Sequence, residues 1–299
     1  MSTRGNRFRV SSRCELLPYL LSLPLGLSRK QAKDLLRLRA VTVDRMTAVR
    51  HDTELQPGDI VTIAAGKQIP AASLERQGLK IIYLDNDIAV IDKRAGLLSM
   101  GSESEKERTA HRILNEHLKA VTKSPQQQAF IVHRLDRETS GLMMFARNRL
   151  VQAALQQNWK EITKKYLAVV EGAPASAQGT IRDNLVESKS FRMHRVERGG
   201  ELAITHYRVL RTSQDKSLIE LTLETGRKNQ IRVQMAGMGH PIVGDRKYGA
   251  TSDPARRLAL HSCELKFRHP ISGAAMDFRS AMPSRLMALI EPRGVARAK

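Results

Sequence analysis

Two apolar runs, residues 129–132 and 142–146, are separated by a polar stretch that reads His133-Arg134-Leu135-Asp136-Arg137-Glu138-Thr139-Ser140-Gly141. Apolar runs this short, bounded by turn formers, predict strands rather than helices. The Glu-Thr-Ser-Gly end is a turn signal, because Ser and Thr hydroxyls bond nearby backbone and Gly tolerates positive φ. Asp136 is therefore expected at the mouth of a turn between strands. Arg134 and Arg137 bracket it, and nearby positive charge favours an ionised carboxylate. Such a group suits a nucleophile or a base. An Arg/Asp turn held by local ion pairs is the plainer reading of the same residues.

The chain has 299 residues, enough for one large domain and a small one. Aromatic residues are only 4% against 41% hydrophobic, so the core must be built from Leu, Ile, Val, Ala and Met. The formal charge of +20 creates a field that attracts polyanions, and nucleic acid is the natural partner. An anionic membrane is the competitor, but no long Lys-rich amphipathic helix with a Trp/Phe face is visible. Cys14 and Cys263 make neither a disulfide framework nor a Cys-x-x-Cys site, which fits a reduced, cytoplasmic compartment. Residues 16–27 are apolar after a basic start, but Pro18 and Pro24 interrupt them and no small-x-small site follows. They read as a core helix and its loop.

Residues 1–12 read as a basic tail and residues 13–75 as a small αβ unit. It should hold a helix over 15–22 and a second from Ser28, where Ser28 and Gln31 have capping-box spacing. Ala32, Leu35 and Leu36 give the second helix an apolar face, while Arg29, Lys30, Lys33 and Arg37 give it a cationic one. Strands are expected at 41–43 and 60–63. Residues 66–79 read as a linker and 81–92 as a hairpin turning at Asp85-Asn86-Asp87. Beyond it strands and helices alternate irregularly, without a βαβ repeat. An α+β domain over 76–299, with a mixed, mainly antiparallel sheet, is expected. Residues 189–198, with four basic side chains, read as an exposed loop that could track phosphates. There is no Gly-x-Gly-x-x-Gly or Walker loop, and His261, Cys263 and His269 lack a fourth ligand, so no cofactor or metal is expected.

The 133–141 run resembles the signature of the RluA family of pseudouridine synthases, His-Arg-Leu-Asp-x-x-Thr-Ser-Gly, at every fixed position. Residues 164–172 (Lys-Lys-Tyr-Leu-Ala-Val-Val-Glu-Gly) are similar to its Lys-x-Tyr-x-Ala-x-Val-x-Gly strand. Residues 225–232 (Thr-Gly-Arg-Lys-Asn-Gln-Ile-Arg) are similar to its Thr-Gly-Arg-x-His-Gln-Ile-Arg. Gly-His-Pro-Ile-Val-Gly-Asp at 239–245, Tyr248-Gly249 and Leu-Ala-Leu-His at 258–261 follow in the family's order. The resemblance implies the same mainly antiparallel fold, an essential carboxylate on Asp136, and a ring from Tyr166 against the target uracil. It further implies an arginine, Arg232, paired with the aspartate, a pocket wall from Leu260, and an Arg134 that enters the RNA stack as the uridine leaves it. The N-terminal unit resembles the alpha-L RNA-binding motif, with Arg29, Lys30, Lys33 and Arg37 as its RNA face. Asn229 and Gln234 stand where the family often has His, and Arg94 where Pro is common. These departures bear on RNA contacts and target choice.

Pseudouridine formation breaks the bond from ribose to the uracil nitrogen and rejoins the turned ring through its carbon five. It is an isomerisation, so it needs a carboxylate and a dry pocket but no metal, nucleotide or flavin. Whether Asp136 would attack ribose, attack the ring or remove a ribose proton is open in the sequence. The expected activity is isomerisation of specific uridines in ribosomal RNA, with transfer RNA as the second choice, by a monomer with no obligate protein partner. The alternative is a catalytically silent RNA-binding or ribosome-assembly factor. Joint presence of Asp136, Tyr166 and Arg232 argues for the enzyme. A base-excising glycosylase would need a second, water-activating carboxylate, for which Glu138 is the near candidate.

Overall fold

The computed structural model describes residues 6–23, 25, 27, 29–37, 41–44, 46–48, 50–63, 72–101, 108–122 and 127–291. Its N-terminal body runs β1 (Asn6–Arg9), β2 (Cys14–Glu15), α1 (Leu16–Ser22), α2 (Arg29–Arg37), β3 (Val41–Val43), β4 (Met46–Thr47), β5 (Glu54–Leu55) and β6 (Ile60–Ile63). β1, β6, β3 and β4 form an antiparallel sheet in that order, and β2 pairs with β5. Leu16, Leu17 and Leu20 of α1 and Ala32 and Leu36 of α2 bury one face against Val41, Leu55 and Val61. Arg29 and Lys33 lie on the exposed side of α2. Ser28 and the side chains of Gln31, Lys30 and Arg37 lie outside the described residues.

The larger body runs α3 (Ala72–Arg76), β7 (Leu79–Leu84), β8 (Ile88–Lys93), α4 (Ala110–Thr122), β9 (Phe130–Ile131), β10 (Ser140–Ala146), α5 (Arg149–Gln157), β11 (Thr163–Glu171), β12 (Gln178–Glu187), β13 (Met193–Val196), β14 (Glu201–Thr212), β15 (Lys216–Leu223), α6 (Gln230–Gly237), β16 (Leu260–Arg268), β17 (Ala275–Arg279) and α7 (Ser284–Met287). The sheet order is β13-β12-β14-β15-β11-β16-β10-β8-β7, with β17 added to β16 and β9 to β10. The α+β, mainly antiparallel architecture is the one expected; among the described strands β10 and β16 pair in parallel. β10 is buried along its whole length. Met143 and Phe145 face one core with Ile113, Leu114 and Leu118 of α4. Leu142, Met144 and Ala146 face the other with Val151 and Leu155 of α5. Helices on both faces explain why this strand reads as a continuous apolar run rather than an alternating one.

Two local expectations change. The stretch read as a linker over 66–79 contains α3, whose Leu74 packs into the core of the larger body; residues 64–71 lie outside the described residues. The stretch read as a loop over 189–198 contains β13, paired with β12 from Glu187↔Met193 to Asn184↔Val196. The turn before it, 189–192, and the bend after it, from 197, are loop. Cross-strand pairing overrides a basic, turn-like composition there. Among the described residues no helix is long and apolar enough to cross a membrane.

Candidate active site

Each residue of the 133–141 run has a separate mechanical task. His133 Nε2 accepts from Met144 N at 2.9 Å, and its ring centroid lies 4.6 Å from that of Trp159. Burial, aided by the Lys164 cation, pushes the imidazole down to about 3, so His133 stays neutral and braces the loop. Leu135 is buried, and its N–H and carbonyl both bond Ser99 Oγ, at 3.0 and 2.6 Å. Thr139 N donates to Asp136 O at 3.1 Å and closes the expected turn. Gly141 sits at φ 111°, and a Cβ there would lie 2.1 Å from Ser262 O. That glycine is needed where β10 meets β16 backbone to backbone.

Asp136 is left at the mouth of this turn, its side chain 25% exposed. Arg232 Nη1 of α6 reaches its Oδ2 at 3.5 Å. The arginine is anchored elsewhere: Nε and Nη2 each donate to the buried Asp245 carboxylate at 2.7 Å. The expected Arg232–Asp136 pairing is thus the loose side of a tight Arg232–Asp245 fork. Asn229 precedes α6 in a left-handed conformation, φ 51°. The network orients its carboxamide, since the opposite assignment would turn its oxygen on a carboxylate. Its nitrogen donates to Asp136 Oδ2 at 2.7 Å and Oδ1 at 3.1 Å, and its oxygen accepts from Tyr248 Oη at 2.9 Å. The Tyr248 ring lies 5.1 Å under the Arg232 guanidinium.

Tyr166 reaches the same cleft from β11. The β11–β16 register slips between Lys165 and Tyr166, so that Lys165 faces Glu264 and Tyr166 faces Ser262. A bulge of this kind re-aims a side chain. Burial, then the Asp136 charge, push the Tyr166 hydroxyl well above its ordinary range, so it stays a phenol. Cys263, the residue skipped by the slip, is pushed up to about 12 by burial and is an inert thiol. Asp136, Tyr166, Leu260, Arg232 and Asn229 line one cleft of about 80 Å³ together with Arg134. The five residues expected at the site are therefore brought together. Arg137 lines a different, basic cleft of about 330 Å³ with Arg76, Arg94 and Arg108, and its Nε donates to Gly96 O at 3.2 Å. The arginines on either side of Asp136 thus face two different clefts. Glu138 is exposed and does not line the cleft of Asp136.

Two buried devices lie behind the turn. Lys93, at the end of β8, is fully buried, and its Nζ donates to the carbonyls of Leu97, Arg94 and Arg137 at 2.7, 3.2 and 3.2 Å. Burial pulls its ammonium down to about 7, against the pull of Asp136 and Glu138. The second is a directed chain of hydrogen bonds. Arg257 Nη2 donates to Ser140 Oγ at 2.7 Å. Ser140 Oγ meets His261 Nδ1 at 2.9 Å, and His261 Nε2 meets Ser280 Oγ at 3.1 Å. Ser280 Oγ donates to Asp92. With donors running from Arg257 to Asp92, His261 accepts at Nδ1 and donates at Nε2. Burial lowers its pKa and so favours this neutral form.

Sequence reasoning missed Asn229, Asp245, Tyr248 and Lys93. Asp245 and Tyr248 stood inside quoted motifs without a role. Asn229 and Gln234 were read together as changes to RNA contacts, and they separate. Gln234 is fully buried, accepting from Thr205 Oγ1 at 2.6 Å and donating to Ala203 O at 3.1 Å, so it braces α6 against β14. Asn229 touches the carboxylate itself. Among the described residues, ligand-type groups cluster at Asp85, Asp87 and His269. There Asp85 already accepts from Tyr83 Oη, His269 Nε2 and the N–H groups of Asp87 and Ile88. This is a self-satisfied turn.

A sequence profile described as RNA pseudouridylate synthase matches residues 87–237. The chain is 34% identical over 283 residues to the uncharacterized RNA pseudouridine synthase YlyB of Bacillus subtilis (strain 168), covering 91% of this chain and 92% of that protein. It is 34% identical over 284 residues to ribosomal large subunit pseudouridine synthase D of Yersinia pestis, covering 88% and 86%. The solved structure of human RNA pseudouridylate synthase domain containing 4 aligns with a TM-score of 0.60 at 25% identity, over 74% of this chain and 95% of that one.

Proposed function

The chain belongs to the RluA-type family of RNA pseudouridine synthases, and on that premise we propose that Asp136 is the essential carboxylate for isomerising uridines in ribosomal RNA. The observation that carries the reading is the held carboxylate. Asp136 opens into a cleft, gripped by the Asn229 amide and faced by an arginine that Asp245 keeps in place. A nucleophile or base positioned to within a fraction of an ångström needs such support. The uracil ring would stand between the Tyr166 ring and Leu260. Tyr166, kept protonated, serves as a stacking wall and an O–H donor rather than as a phenolate base. The bond from ribose to N1 breaks, the ring turns while the apolar walls retain it, the bond to C5 forms, the C5 proton leaves to solvent and the freed ring nitrogen takes one up, so that the product is an isomer.

Ribosomal RNA as the substrate rests on relatives named ribosomal large subunit pseudouridine synthase D at 32–34% identity, and on the +20 charge. The N-terminal body, with Arg29 and Lys33 exposed on α2, adds a second RNA hold. A cytoplasmic enzyme fits the two free thiols, Cys14 and Cys263, and relatives named for the large ribosomal subunit. The test is Asp136→Asn, which removes the charge and keeps the shape. RNA labelled with tritium at uridine C5 should release it with the wild type and not with the variant. Melting temperature and RNA affinity should stay at wild-type values. Tritium release near the wild-type rate would remove Asp136 from the mechanism.

A further inference from the structure

The turn between β12 and β13 carries a side chain that the reaction does not use. Phe191 is 71% exposed, and its backbone is left-handed at φ 57°. That conformation is an outlier for a bulky residue, whereas Gly or Asn adopts it readily. The turn is nonetheless built to hold the ring outward. Phe191 N donates to Ser188 O and Ser188 N to Arg192 O, both at 2.9 Å. Lys247 Nζ donates to Phe191 O at 3.1 Å. Strain held this firmly at a surface position is characteristic of a functional one.

The surroundings say what the ring would meet. The Lys228 ammonium, ion-paired with Glu187, lies 5.5 Å from its centroid. Arg192 and Lys247 lie 5.3 and 5.7 Å from the centroid of Tyr248, the ring that bonds Asn229 and through it Asp136. Burial, then the crowding of Arg232 and Lys228, push the Lys247 ammonium below its ordinary range. An exposed aromatic face among crowded cations, joined to the reaction cleft through Lys228, the neighbour of Asn229 in sequence, and through the Tyr248 bond to Asn229, matches the chemistry of a single-stranded nucleic acid. Bases stack on aromatic rings regardless of their identity, while cations track the phosphates.

We propose that Phe191 is a stacking platform for an unpaired RNA base next to the target uridine, with Lys228, Lys247 and Arg192 taking the adjoining phosphates. The proposal rests on the reading of this chain as an RNA-modifying enzyme. Its test is filter binding of transcribed, pseudouridine-free large-subunit ribosomal RNA across a salt series, with Phe191→Leu, Phe191→Trp and Phe191→Gly. The Leu variant should bind roughly 5- to 150-fold more weakly, the range that loss of one base stack spans. The slope of log affinity against log salt should not move, because no phosphate contact is lost. The Trp variant should return to wild-type affinity. The Gly variant should bind as weakly as Leu while unfolding no earlier than wild type, since it relieves the backbone strain. Wild-type affinity in the Leu or Gly variant, or failure of Trp to restore it, would overturn the proposal. Pseudouridine formation by the wild type in the same RNA separates the two readings. If the wild type makes none, the enzyme reading fails and this proposal with it. If it makes pseudouridine and the Leu variant binds normally, only the platform fails.

Discussion

Replacing Lys93 by Met removes a buried ammonium that touches no substrate, and the consequences can be worked from its surroundings. The amine normally titrates near 10.5, and burial pulls it down to about 7 in the folded protein. Above about pH 10.5 it is neutral in both states, and its contribution to stability is at its most favourable. As pH falls, the unfolded chain takes up the proton first, and the folded state loses stability relative to it until about pH 7. Below that the contribution is flat. The span from 10.5 to about 7 corresponds to roughly 5 kcal/mol at about 1.36 kcal/mol per pH unit. From pH 7, where the folded amine is half protonated, to pH 9 the gain should be about 2 kcal/mol. Urea unfolding followed by the fluorescence of Trp159, the only tryptophan, is the assay, and the wild type minus Lys93→Met difference cancels other titrations. Wild type should gain on the variant by that amount between pH 7 and 9. A difference that stays flat would mean that Asp136 and Glu138 keep the amine charged throughout, and the burial argument would be refuted. The same variant loses the tie to the Arg137 carbonyl, beside Asp136. Saturating turnover should fall on the order of 100-fold, as displacements of about 1 Å do in active sites.

Asp245→Asn takes the tight counter-charge from a largely buried guanidinium and leaves only Asp136 at 3.5 Å. It should destabilise the protein by about 3–5 kcal/mol, lowering the melting temperature by roughly 6–20 °C for a body of this size. A scan indistinguishable from wild type would show that the Asp245–Arg232 fork is not structural. Removing residues 1–70 spares α3 and the core that holds Leu74. It should flatten the salt dependence of RNA binding, by about 0.7 to 0.9 of log–log slope per lost phosphate contact, while single-turnover catalysis at saturating RNA remains measurable. Unchanged affinity and slope would mean the N-terminal body does not hold RNA, and loss of turnover in a folded product would mean that it shapes the cleft.

Much of this protein was legible in local sequence. Turn chemistry put Asp136 at the mouth of a turn. Alternation and apolar run length predicted the strands at 41–43 and 60–63 with the bounds observed. Ile231 and Met235, apolar neighbours of Arg232 in sequence, lie on the buried side of α6. These features depend on neighbours within a few residues, and propensity and periodicity report on such neighbours. The rest depends on contacts that only the folded sheet creates. Gly141 read as a turn former, yet its necessity comes from Ser262 on a parallel neighbour. Arg232 read as the partner of Asp136, yet Asp245 holds the tighter fork. Asn229 read as a change at the RNA surface, yet the left-handed entry to α6 turns its amide onto the carboxylate. Lys93 stood one residue beyond the expected hairpin without a role, yet burial and three carbonyls make it a post beneath the turn. A sequence states which groups can donate, accept or carry charge. Which of them are deprived of water and brought within 3 Å of each other is set by strand register and burial, and those quantities exist only once the chain has folded.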